Sequence, residues 1–237
     1  MSSPTIRKDI TQIIKKDTER PLTSIGESNS DKFARILQTY AYFNPTVEYC
    51  QGMSIIVEFL FILLRDEALT FSYFKEIVNK YEMAQLFTND LPLLKKLCYQ
   101  LDRFLYIQRP DLVVYFRNEG ISANFFSSAW FMTLFANILQ DNNEEVSNLV
   151  LRIWDAFLLY RWKAIFKTGM FALEVLGKQL VEARLDQAMF IIKELSKPLF
   201  LTKPETLLQF KSRYKSIPIT NEKLELLDKE YNYLTNY

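Results

Sequence analysis

The stretch Asn44-Pro45-Thr46-Val47-Glu48-Tyr49-Cys50-Gln51-Gly52-Met53 gathers an amide, a thiol, a phenol and a carboxylate between two amphipathic segments. Pro45 takes Asn44 out of helical geometry and ends the segment before it. Gly52 permits a close backbone approach, or a backbone angle that other residues avoid. Gln51 therefore sits at a bend, where rigid flanking helices can aim it outward as a functional group. Its amide donates and accepts hydrogen bonds at once. The plainer use of such a residue is to cap the next helix or satisfy a buried backbone group, and these residues alone leave both uses open.

What is absent narrows the chemistry further. The chain has no histidine, so a Ser-His-Asp triad, a Cys-His dyad and a His-ligated metal site cannot be built from it. Cys50 has no base to activate it and reads as a small packing residue. Together with Cys98 it makes neither a disulfide framework nor a CxxC pair, which suits a reducing, intracellular compartment. The five glycines, at 26, 52, 120, 169 and 177, form neither a GxGxxG nor a P-loop, so no phosphate cradle is recognisable. Lys and Arg number 29 against 28 Asp and Glu, a net charge of +1. That balance creates no global field favouring nucleic acid or an anionic membrane.

The elements that must position these residues are helical. With 237 residues and 49% apolar composition, the chain can bury a sizeable core. Residues 1–16 hold no apolar run of signal-peptide length and carry charge from Arg7 onward. A helix is expected to start at Ser3-Pro4, carry Ile6, Ile10, Ile13 and Ile14, and end near Thr18 ahead of Pro21. Residues 22–30 read as a surface loop. Ser30 then opens a helix whose Phe33, Ile36, Leu37, Tyr40 and Ala41 share one face. After the bend, Met53, Ile56, Val57, Leu60 and Leu64 mark a strongly apolar helix, and Phe71, Phe74, Ile77, Val78 and Tyr81 mark another. Pro92 starts a long helix that Pro110 interrupts, and residues 110–118 form a short one closing at Gly120.

Residues 120–140 are uncharged but contain Asn124, Asn137 and four hydroxyl side chains. This reads as a buried helix around Phe125, Phe126, Trp130 and Phe131 rather than a membrane span, and no transmembrane segment is expected elsewhere. Helical patterns follow from about residue 143 and over 163–182, 185–195, 202–214 and 220–237. No stretch alternates apolar and polar residues between hairpin turns. The chain is expected to be all-α, with about a dozen helices, and the periodicity lapses over residues 81–91, a seam between two halves.

Upstream of the bend lies Ile14-Lys15-Lys16-Asp17-Thr18-Glu19-Arg20-Pro21. With Tyr49-Cys50-Gln51-Gly52-Met53, it resembles the paired Ile-x-x-Asp-x-x-Arg and Tyr-x-Gln signatures of the TBC domain, the GTPase-activating domain for Rab GTPases. Tyr40-Ala41-Tyr42-Phe43-Asn44-Pro45, Trp130-Phe131-Met132-Thr133-Leu134-Phe135-Ala136 and Arg152-Ile153-Trp154-Asp155-Ala156-Phe157-Leu158 extend the likeness, which runs over roughly residues 6–195. The sequence departs from the family at two places near the signatures. Pro21-Leu22-Thr23 stands where Thr-Phe-Pro is usual, and Glu48 stands where glycine is common.

The resemblance implies two packed helical subdomains, about 1–85 and 86–201, with residues 202–237 as C-terminal helices completing or flanking the domain. It implies that Arg20 is an arginine finger and Gln51 a glutamine finger, supplied in trans to a GTP-bound Rab-family GTPase that acts in vesicle trafficking. Asp17 would orient the Arg20 guanidinium, Ile14 would anchor the helix end, and Tyr49, Gly52 and Asn44 would support the glutamine loop. No cofactor of its own is implied, because GTP and magnesium arrive with the partner. The protein would then be a GTPase activator rather than a nucleotide hydrolase, cytoplasmic and recruited to membranes through its partner. Two other readings are a catalytically silent TBC domain that binds Rab as a scaffold, and an unrelated helical interaction module.

Overall fold

A computed structural model describes residues 8–139 and 144–235. Fourteen α-helices and two short 3₁₀ turns cover them, with no strand among the described residues, so the all-α reading holds. The expected helix start at Ser3-Pro4 lies outside the described residues. They fall into two compact units, 8–93 with Leu139, and 94–138 with 144–235.

The first unit carries both signature stretches. Its elements are α1 (Lys8–Thr18), α2 (Ser24–Glu27), α3 (Ser30–Phe43), α4 (Met53–Leu64), α5 (Glu67–Lys80) and α6 (Ala84–Phe87). The centre is α3, which packs against α1, α4 and α5. Its i, i+3, i+4, i+7, i+8 stripe of Phe33, Ile36, Leu37, Tyr40 and Ala41 is buried throughout. Each large side chain so buried contributes roughly 1.5 to 3 kcal/mol of apolar transfer free energy. Phe33 meets Phe61 of α4 edge-on at 5.3 Å between centroids, and Tyr40 meets Phe74 of α5 at 5.0 Å. Asp66 starts α5 by accepting from Leu69 N at 2.8 Å, which satisfies a donor left over at the helix start. Residues 22–30 are not the expected surface loop: they contain α2, with Thr23 and Gly26 buried. A carboxylate from α4 reaches this segment and draws its backbone inward, as described below.

The second unit takes up α7 (Pro92–Gln108) from Leu94 on, then α8 (Pro110–Asn118), α9 (Asn124–Thr133), α10 (Glu144–Tyr160), α11 (Trp162–Glu182), α12 (Leu185–Ser196), α13 (Pro204–Arg213) and α14 (Asn221–Thr235). Both Pro92 and Pro110 stand at helix starts, where a missing N–H costs nothing. The long helix α11 is packed by α8, α9, α10, α12 and α13. Gly169 lets α11 approach the Trp130 ring of α9, and Trp130 Nε1 donates to Leu195 O of α12 at 2.6 Å. The uncharged segment is buried at Phe126, Trp130 and Phe131, but Phe125 is 69% exposed, so the apolar character extends onto the surface. No described helix is long and apolar enough to cross a membrane.

Candidate functional site

Helix α1 ends at Thr18, whose hydroxyl donates to Lys15 O at 3.1 Å. Pro21 cannot extend it. Arg20 N still donates to Asp17 O at 3.2 Å, so Arg20 leaves the last turn and lies exposed. Among the described residues no ion pair or hydrogen bond holds its guanidinium. The expected bond from the Arg20 guanidinium to Asp17 is not present among the described residues. The half-buried Asp17 carboxylate instead accepts from the Tyr49 hydroxyl at 2.7 Å, because Tyr49 offers a donor where α1 meets the stretch before α4. Burial first, and the Asp17 carboxylate second, push the Tyr49 phenol far above its ordinary range, so it stays a donor at any working pH. Ile14, one turn before Asp17, is fully buried.

The glutamine stretch is held at both its ends. Asn44 closes α3 with its N–H on Tyr40 O, and its own carbonyl accepts from Val47 N at 3.2 Å and Glu48 N at 2.9 Å. Its side chain donates to Tyr40 Oη at 3.3 Å and accepts from Thr46 Oγ1 at 2.7 Å. Glu48 has φ 55° and Gly52 has φ 103°, both in the left-handed region that disfavours residues with a Cβ. Between those two turns sit Tyr49, Cys50 and Gln51. Cys50 is half-buried, and burial pushes its thiol up. Gln51 is exposed, and among the described residues no hydrogen bond holds its amide. It does not cap α4, whose cap is Gly52 without a side-chain bond. Met53 N closes the turn by donating to Cys50 O at 3.2 Å.

The hydrogen bond from Tyr49 to Asp17 ties the two stretches together, so Arg20 and Gln51 project from neighbouring segments of one unit. Among the described residues no cluster of three or more His, Cys, Asp or Glu side chains could hold a metal ion. Among the described residues the arrangement offers the Arg20 cation and the Gln51 amide, both exposed, on an anchored frame.

One residue near this frame was not singled out by sequence reasoning. Glu58 of α4 is 2% exposed. Leu22 N donates to its Oε2 at 2.9 Å and Oε1 at 3.1 Å, Thr23 N to Oε1 at 2.8 Å, and Thr23 Oγ1 to Oε1 at 2.6 Å. Thr23 Oγ1 in turn accepts from Gly26 N at 3.2 Å, starting α2. The available signal was that Glu58 is the only charged residue in the run Met53–Leu64.

A family model for the Rab-GTPase-TBC domain matches residues 2–181. Similar proteins include GTPase-activating protein GYP5 of Saccharomyces cerevisiae, 28% identical over 190 residues that make up 80% of this chain and 20% of that one. The Drosophila melanogaster ecotropic viral integration site 5 ortholog is 30% identical over 162 residues, 68% of this chain and 19% of the relative. Rab GTPase-activating protein eat-17 of Caenorhabditis elegans is 26% identical over 160 residues, 65% of this chain and 17% of its own. This chain thus spans about a fifth of the length of the relatives it matches. Among solved structures, the Chlamydomonas flagellar RabGAP TBC domain shares the fold with a TM-score of 0.66 at 18% identity, covering 90% of this chain and 68% of that one.

Proposed function

Because this chain belongs to the Rab-GTPase-TBC domain family, we propose that it accelerates GTP hydrolysis on a GTP-bound Rab-type small GTPase through Arg20 and Gln51. The observation that carries this reading is the Tyr49–Asp17 hydrogen bond at 2.7 Å, which couples the arginine segment to the glutamine segment and leaves both end groups exposed.

Phosphoryl transfer from GTP needs the charge on the transferring group neutralised and a water held in line. A guanidinium supplied in trans meets the first need and is worth ~10³ to 10⁵ in rate. The Gln51 amide, accepting from the water and donating to the phosphoryl oxygen, meets the second. The nucleotide and its magnesium come with the partner. Exposure without an internal partner suits both side chains, since neither must break a bond within this chain before it engages a phosphate.

The test is single-turnover GTP hydrolysis by a panel of purified Rab GTPases with this chain, with Arg20→Ala and with Gln51→Ala. Acceleration of at least one Rab by the wild type is expected, falling on the order of 10³-fold for Arg20→Ala, with a comparable loss for Gln51→Ala. Binding to GTP-loaded Rab without acceleration would instead establish a scaffold.

A further inference from the structure

We infer that Glu58 is a positioning residue for Arg20, acting through the backbone of Leu22 and Thr23; this rests on the GTPase-activating reading above. A buried carboxylate is costly unless its charge is met by donors. Glu58 draws donors from the segment that follows Arg20. It accepts from Leu22 N, Thr23 N and Thr23 Oγ1 at 2.6 to 3.1 Å, and such charge-assisted bonds are short and strong. An apolar residue would fill this place in α4 as its neighbours do, with no desolvation to offset.

The geometry explains what the carboxylate adds. Only Pro21 separates Arg20 from the anchored Leu22 N–H, and proline locks its own φ. Fixing Leu22 N therefore restricts where the Arg20 backbone can stand. The same helix α4 begins directly after Gln51 and Gly52. One rigid element thus carries the glutamine at its N-terminal end and receives the arginine segment one and a half turns later. The Asp17–Tyr49 bond approaches the arginine segment from its other side, so Arg20 lies between two anchors, both tied to the Gln51 stretch. Misplacing a catalytic group by about 1 Å can cost on the order of 10²-fold in rate.

Glu58→Gln is the informative variant. Its amide keeps one acceptor but turns an NH₂ toward the Leu22 N–H that Oε2 now receives. Amide hydrogen exchange over residues 20–26 is expected to speed up on the order of ten-fold, with α3 and α5 unchanged. For a responsive Rab GTPase, kcat is expected to fall about ten-fold or more, while affinity for the GTPase loaded with a non-hydrolysable GTP analogue stays within about two-fold. In an Arg20→Ala background, Glu58→Gln should add no further loss, since residues acting through one another are not additive. Unchanged exchange over residues 20–26 overturns the inference, and so does an equal loss of rate with and without Arg20. Should Glu58→Ala fail to fold, the Gln variant carries the test alone. Should the wild type accelerate no Rab, the proposed function fails, and the exchange measurement still decides whether Glu58 holds the arginine segment.

Discussion

Tyr49, Glu48 and Gly52 show how single residues set the site. Tyr49→Phe removes the hydroxyl that meets Asp17 and leaves a half-buried carboxylate without that donor, a loss of about 1 to 2 kcal/mol. Urea unfolding should show that decrease, and hydrolysis assays should show a lower kcat. At Glu48 the backbone is left-handed, φ 55°. Glu48→Gly should therefore be more stable than Glu48→Ala by about 1 kcal/mol, because both lose the carboxylate and only glycine relieves the conformation. Conversely, Gly52→Ala at φ 103° should lower stability by about 1 to 2 kcal/mol. The positions of Arg20, Gln51 and Gly52 could be read in the sequence because a proline, a glycine and two ordered motifs mark them. The Tyr49 hydroxyl as a partner of Asp17 could not, since spacing points to Arg20 three residues on, whereas Tyr49 is 32 residues away and meets it only through packing.

At the scale of elements, two glycines mark where helices come closest. A methyl group at Gly169 would stand 2.5 Å from Trp130 Cζ3, and the ring cannot swing aside without losing its bond to Leu195 O. Overpacking outweighs the gain in helix propensity, so Gly169→Ala should lower the thermal midpoint, with a loss of about 1 to 2 kcal/mol. Helices such as α3 and α4 were legible because their apolar residues repeat at the helical period or fill the whole run. Segment α2 was not, because Ser24–Glu27 is too short to show a helical period and its order comes from Glu58, 35 residues beyond Thr23. Phe125 was misplaced for a related reason: uniform apolarity around a helix does not reveal which side finds no neighbour.

Taken as a whole, the molecule should tolerate acid better than alkali on one account. Burial raises the Cys98 thiol from 9.0 to about 11 and the Tyr214 phenol to about 12. A folded state that keeps these protons longer than the unfolded chain is favoured below pH 9 and loses that advantage as pH rises through about 11. Thermal unfolding at pH 8 and pH 10.5 should show a decline on the order of 2 kcal/mol, and Cys98→Ala should make it smaller. The Glu58 carboxylate and Gly26 carry a different kind of consequence. A side chain at position 26 would collide with both Pro21 and the Glu58 carboxylate, so position 26 is confined to glycine while either of them stands. As sequences diverge, position 26 should gain a side chain only where both Pro21 and Glu58 have given way, and a lineage that fills position 26 first meets a barrier. The history of this loop is therefore expected to be written in an order, with Pro21 and Glu58 replaced before position 26.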